Sequence, residues 1–138
     1  MKTITTLTVN PAVDANTAAE RVVSERKLRC DAIRHEAGGG GINVARAVAI
    51  LGGEVAACYT RGGPTGAILA RQLDEEDLDQ HPYSIEGWTR ENFIVYERSS
   101  GDQYRFGTPG PKLKRDDWRG LLDEVVGLYE DAHGWIDT

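Results

Sequence analysis

The chain has 138 residues, 40% of them hydrophobic and 28% charged, which is the makeup of one globular domain with a single core rather than a disordered tail. Its 16 Lys and Arg stand against 22 Asp and Glu for a formal charge of -6, so the overall field repels nucleic acid and anionic membranes, and an anionic substrate needs a local basic site. The opening residues lack both a basic start and a long apolar stretch, and no run approaches membrane-spanning length, which predicts neither a signal peptide nor a membrane span.

Ile4 to Val9 is β-branched and threonine-rich and closes at Asn10-Pro11. This predicts a strand, with Asp14 just beyond its carboxyl end, the edge where open α/β sheets bind ligands. From Asn16 to Glu36, the apolar pairs Val22-Val23 and Ala32-Ile33 flank a charged turn, Ser24 to Arg29, a pattern suited to short antiparallel strands. Gly38 to Gly41 interrupt regular structure, and Ile42 to Leu51 follow as a packed helix closed by Gly52-Gly53. Glu54 to Thr60 reads as a buried strand, Gly62-Gly63-Pro64 as a turn and Thr65 to Glu76 as a second helix. Strand, helix, strand, helix is the grammar of a parallel sheet.

Asn92 to Arg98 and Gln103 to Gly107 flank the turn-forming Ser99 to Asp102, which predicts a β-hairpin joining the earlier irregular strands. After Pro109-Gly110-Pro111, residues Arg115 to Glu130 carry Trp118, Leu121, Leu122, Val125, Val126 and Tyr129 at the spacing of an amphipathic helix. Trp118 and its apolar neighbours are expected in the core. Cys30 and Cys58 lie far apart without zinc-like spacing and read as buried free thiols in a reducing cytoplasm. His35, His81 and His133 match no ligand or triad spacing and read as surface or packing residues.

The four-glycine run before Ile42-Asn43 is the most informative feature. Glycines permit close backbone approach, and the helix start that follows points unpaired N–H groups at a ligand, which suits hydroxyls or phosphate oxygens. No Gly-Lys-Ser or Gly-Lys-Thr follows, so the run is not a P-loop, and its spacing does not satisfy the dinucleotide fingerprint. A flexible linker or plain helix entry is the alternative that spacing alone leaves open.

Gly38 to Ala47 (GGGGINVARA) resembles the first signature of the PfkB, or ribokinase-like, sugar kinases. Thr8 to Asp14 (TVNPAVD) is similar to that family's opening strand and substrate carboxylate. Lys27 to Cys30, Trp88 to Asn92 and Gln103 to Phe106 resemble its minor-type 6-phosphofructokinase branch. Gly40 occupies a place where the fructose-1-phosphate kinases usually carry lysine, which favours the 6-phosphate branch. The matches run in order from the first residue to about Val126.

The resemblance implies an α/β fold, a ribokinase-like α/β/α parallel sheet with a small β-sheet lid. It assigns residues 1–138 to the N-terminal part of one kinase domain, with lid segments at about 16–36 and 88–108. The implied reaction transfers the ATP γ-phosphoryl group to a hexose phosphate, fructose 6-phosphate by preference, with Mg²⁺, in glycolysis and in the cytoplasm. Residue by residue, Asp14, Gly39 and Asn43 are expected on sugar hydroxyls with Gly38, Gly40 and Gly41 around them, and Arg90 on the sugar's phosphate. Arg29, and less directly Lys27, resemble residues that reach a neighbouring subunit's substrate phosphate, and Arg105 joins the list of candidate binding residues. A homodimer through the lid is the implied assembly, with no nucleic acid and no membrane as partner.

Kinases of this family run to roughly twice this length. Their Gly-Ala-Gly-Asp anion hole, with its catalytic base, and their Asn-x-x-Glu segment do not occur in these 138 residues. No catalytic residue and no ATP or Mg²⁺ site is therefore assigned, and the polypeptide is expected to be inactive alone. Where the family continues an apolar strand, Gly134 to Thr138 depart from the pattern, as truncation or a shifted frame would produce. Uncovered apolar surface is expected to bring marginal stability or association. Two other readings stand beside this one: a non-catalytic sugar-phosphate-binding or dimerisation module, and a Rossmann-type nucleotide binder, which is weakened because the glycines do not directly follow the first strand.

Overall fold

The computed structural model describes residues 3–133, and the departure at Gly134 to Thr138 lies outside them. In chain order the elements are β1 (Ile4–Thr8), β2 (Ala12–Ala19), β3 (Arg34–Gly38), α1 (Gly40–Ile50), β4 (Val55–Arg61), α2 (Gly63–Glu75), β5 (Asp79–Ser84), β6 (Arg90–Glu97), β7 (Gln103–Phe106) and α3 (Arg115–His133). They build two sheets. One is parallel, in the order β1-β4-β5; the other is mixed, in the order β3-β2-β6-β7.

The central strand β4 is buried on both faces, which is why it reads as a continuous apolar run. On one face Val55, Ala57 and Tyr59 pack with Ile42 and Ala45 of α1 and Leu69 and Leu73 of α2. Alternation puts Cys58 and Thr60 on the other face, in register with His81 and Tyr83 of β5. There α3 lies across the sheet: Tyr83 Oη donates to the Asp116 carbonyl at 3.5 Å, and His81 Nδ1 stands 3.9 Å from Glu124. The result is an α/β/α layering. Leu69 and Leu73 are fully excluded from solvent, and each such side chain stabilises the fold by about 1.5–3 kcal/mol.

In the mixed sheet β2 pairs antiparallel with β3 and parallel with β6, and β6 pairs antiparallel with β7. Val13 of β2 and Ala37 of β3 enter the same core cluster as the helices, so this small sheet shares its hydrophobic support with the parallel one. No helix among the described residues is long and apolar enough to cross a membrane.

Several expectations are corrected. Residues 20–33, with Val22-Val23 and Ala32-Ile33, contain no strand; the antiparallel pair is formed by β2 and β3 on either side of them. The glycine run is no extended break, because Gly38 ends β3, Gly39 alone connects and Gly40-Gly41 begin α1. Gly63-Pro64 likewise belong to α2 rather than to a turn. The strand β5 was not expected at all. Among residues 115–130 of α3 only Leu121 is buried; Trp118 is 43% exposed and Leu122, Val126 and Tyr129 are exposed as well, so Trp118 is not core. Cys58 is a buried free thiol as expected, whereas Cys30 is exposed.

Candidate functional site

The carboxyl ends of the parallel strands meet the mixed sheet where β3 turns into α1. β2, β3 and β6 align Asp14 with Glu36 and Asn92, and Ala12 with Gly38 and Arg90. Paired residues share a face and the pleat repeats every two residues, so Asp14, Gly38, Arg90 and Asn92 lie on one side of this sheet.

Asp14 is held from two directions. Asn92 Nδ2 donates to Asp14 Oδ1 at 3.0 Å, and the orientation of that carboxamide is set by Thr108, whose backbone N–H donates to Asn92 Oδ1 at 3.2 Å. On the other side a Cβ at Gly38 would stand 2.8 Å from Asp14 Oδ2. Glycine there lets the carboxylate lie against β3. Arg90 Nε and Nη2 donate to the Asn10 carbonyl at 3.4 and 3.3 Å, long contacts that leave much of the guanidinium's capacity unspent.

The start of α1 is pressed against the end of β1. Gly39 has φ of 131°, a conformation that favours glycine, and a Cβ on it would lie 2.6 Å from Thr8 Cγ2. A Cβ on Gly41 would collide with Thr8 Oγ1 and lie 2.7 Å from the Leu7 carbonyl oxygen. A Cβ on Gly40 would meet nothing within 4 Å. The first intrahelical bond runs from Asn43 N–H to the Gly39 carbonyl at 2.9 Å, so the N–H groups before it have no helical acceptor. Asn43 itself is exposed on the first turn, its Oδ1 accepting from Arg46 Nη1 at 3.0 Å.

Lys27 and Arg29 lie on the irregular 20–33 segment, both exposed, and make no hydrogen bond with Asp14, Asn43 or Arg90. That segment is nevertheless tied down at its ends. Val22 N–H donates to Glu97 Oε2 at 2.6 Å, Asp31 N–H donates to the Ala18 carbonyl at 3.0 Å, and Arg98 pairs with Asp31 at 2.8 Å and with Glu20 at 3.4 Å. The hydrogen bond from Ser100, followed by the one from the Val22 backbone, holds the Glu97 carboxyl below its ordinary range. Arg105 is exposed on β7 in register with Ile94, and with Asn92, Phe93, Ile94, Phe106 and Gly107 it lines a cavity of about 150 Å³.

Two residues of this region were missed in the sequence. Asn92 carries a signal, since it stands two positions after Arg90 and so on the same strand face; Arg46 carries one too, three positions after Asn43 on a helix. Among the described residues no group of three His, Cys, Asp or Glu side chains is placed to hold a metal ion. The arrangement offers an acceptor in Asp14, a carboxamide in Asn43, free backbone donors at a helix start and a guanidinium. That set suits a polyhydroxylated molecule that carries one anionic group.

Residues 8–129 match the model of the pfkB family carbohydrate kinases. The chain is 42% identical over 132 residues to the ATP-dependent 6-phosphofructokinase isozyme 2 of Escherichia coli K12, covering 96% of this chain and 43% of that protein. It is 44% identical over 129 residues to the isozyme 2 of Mycobacterium tuberculosis H37Rv, covering 94% of this chain and 38% of that one. Its structure is similar to the crystal structure of Escherichia coli phosphofructokinase-2 in complex with fructose-6-phosphate, with a TM-score of 0.88 and 43% identity over 92% of this chain and 42% of that one. The chain thus spans about two fifths of the length of the relatives it matches.

Proposed function

The chain belongs to the pfkB family of carbohydrate kinases, and on that premise we propose that it supplies the acceptor side of an ATP-dependent sugar-phosphate kinase, with fructose 6-phosphate as the acceptor. Asp14 and Asn43 take the sugar hydroxyls, the backbone of Gly38 to Gly41 lines the same place, and Arg90 pairs with the phosphate already on the sugar. The observation that carries this is the shared sheet face of Asp14 and Arg90 beside the glycine entry to α1. A carboxylate accepts from vicinal hydroxyls, and a guanidinium matches phosphate oxygens in pairs.

ATP and Mg²⁺ belong to the donor side of the proposed reaction, to which none of these residues is assigned. What the chain contributes is position: an acceptor held still, its hydroxyl directed, its phosphate neutralised. Lys27 and Arg29 are proposed to meet the phosphate of a sugar bound to a second copy, in a homodimer joined through the mixed sheet. Phe93 and Phe106, paired across β6 and β7 and both exposed, are the apolar contribution to that contact, and Arg105 flanks it. Function in the cytoplasm, in glycolysis, is part of the same proposal.

The test is a titration of fructose 6-phosphate, with fructose as comparator. The wild-type chain is expected to prefer the phosphorylated sugar and Arg90→Ala to lose most of that preference. Equal affinity of wild type and Arg90→Ala for fructose 6-phosphate overturns the assignment. ATP-dependent turnover by the purified 138-residue polypeptide overturns the division of labour.

A further inference from the structure

Arg46 sits on α1 one turn beyond Asn43 and reaches three other parts of the fold. Its Nε and Nη2 donate to Glu76 Oε2 and Oε1 at 2.6 and 2.8 Å, a two-point contact with the residue that follows α2. Nη2 also donates to the Ala37 carbonyl of β3 at 3.0 Å, and Nη1 to Asn43 Oδ1 at 3.0 Å. Four of the guanidinium's five N–H groups are therefore in use, which leaves it little freedom to turn.

A guanidinium has donors only, so the atom of Asn43 that faces it must be the carbonyl oxygen, and the NH₂ group must face away. We propose that Arg46 is a positioning residue that sets the hydrogen-bonding polarity of Asn43, presenting its NH₂ as a donor to a hydroxyl oxygen of the acceptor sugar. Asn43 then donates where Asp14 accepts. A sugar hydroxyl that gives its proton to Asp14 and offers a lone pair to Asn43 is gripped in one sense only, which a freely turning carboxamide does not impose. The inference rests on the acceptor-site assignment for the sugar contact; the hold of Arg46 on Asn43 stands on the structure alone. Charge reinforces it, because the Glu76 hydrogen bonds, and the carboxylates of Glu76 and Glu36 nearby, keep the Arg46 guanidinium protonated.

The experiment uses the ¹⁵N-labelled 138-residue chain, with the Asn43 side-chain NH₂ signals identified by their loss in Asn43→Asp. In Arg46→Lys, which keeps the charge and the fold but not the planar fork, those signals are expected to move and to exchange faster with water, while backbone signals of the strands persist. Arg46→Met, which removes the donors, is expected to do the same more strongly. In a fructose 6-phosphate titration Arg46→Lys is expected to weaken binding about tenfold, the scale of one hydrogen-bonding contact to a charged group. On an Asn43→Ala background the same change is expected to cost about twofold or less, since coupled residues are not additive. Unaltered Asn43 signals in both Arg46 variants, or full additivity with Asn43→Ala, overturn the positioning role. A wild-type chain with no affinity for fructose 6-phosphate overturns the acceptor-site assignment and the sugar contact, and leaves the NH₂ signals to decide the Arg46 to Asn43 link separately.

Discussion

Asn92 on β6 donates its side-chain N–H to Oδ1 of Asp14 on β2 at 3.0 Å, so one oxygen of the candidate sugar-binding carboxylate is already engaged and the other stands beside Gly38. Asn92→Ala releases that oxygen and lets the carboxylate rotate. Fructose 6-phosphate binding is expected to fall by roughly fivefold, about one net hydrogen bond. Calorimetric titration reads the effect, and unchanged affinity in Asn92→Ala refutes it.

The glycines entering α1 are predicted to differ sharply in tolerance. Alanine at Gly41 collides with the Leu7 carbonyl and Thr8, and alanine at Gly39 adds backbone strain at φ 131° to contact with Thr8. Gly40 has open space, and alanine is the better helix former by about 1 kcal/mol. Urea unfolding should show Gly40→Ala neutral or slightly stabilising, and Gly39→Ala and Gly41→Ala destabilised by about 1–3 kcal/mol. Equal loss at all three positions counts against this packing.

Glu97 is predicted to anchor the segment that carries Lys27 and Arg29. Its carboxyl titrates below the ordinary range because Ser100 and the Val22 N–H bond its charged form. A depressed folded value means that the stabilisation is complete above the unfolded pKa, roughly 4.3, and is lost as pH falls through the folded one. The Val22 amide chemical shift should therefore turn over only below roughly pH 4.3. At neutral pH, Glu97→Ala should speed tryptic cleavage at Arg26, Lys27 and Arg29. Wild-type cleavage rates in that variant would show that the segment is held by other contacts.

The two thiols should react on separate timescales. Cys30 is exposed, whereas Cys58 lies inside β4 with its thiol pushed up to about 11, first by burial and then by Glu124 and Asp79. A disulfide reagent at pH 8 should modify Cys30 at once and reach Cys58 only as the chain unfolds. Prompt modification of both would mean that α3 does not cover that face of the sheet.

The sequence carried most of the fold where apolar periodicity is strong. Val55 to Thr60 reads as a strand because both its faces are buried, and α1 and α2 read as helices because glycine punctuates them. It concealed β5, Asp79–Ser84, whose residues include Gln80, His81 and Pro82 and whose burial is only partial at the sheet's edge. Edge strands tolerate polar residues and proline, so neither composition nor alternation marks them. Between Asn16 and Glu36 the apolar pairs Val22-Val23 and Ala32-Ile33 suggest short strands around a turn, yet only the two ends of that stretch are strands, and residues 20–33 are fastened by ion pairs and by Glu97, contacts far apart in the chain. The proximity of Asp14 to Asn92 depends on register between two strands 78 positions apart, which local pattern does not encode.

The central pair of the mixed sheet, β2 with β6, is parallel, and residues 20–89 lie between the two strands. Those intervening residues contain β3, α1, β4, α2 and β5, so the mixed sheet, as a cap, closes over a long stretch of chain that includes most of the parallel platform. Folding is accordingly expected to be slow and governed by this one long closure. The cap cannot be cut out as a separate peptide, and any loosening of the platform reaches the cap directly.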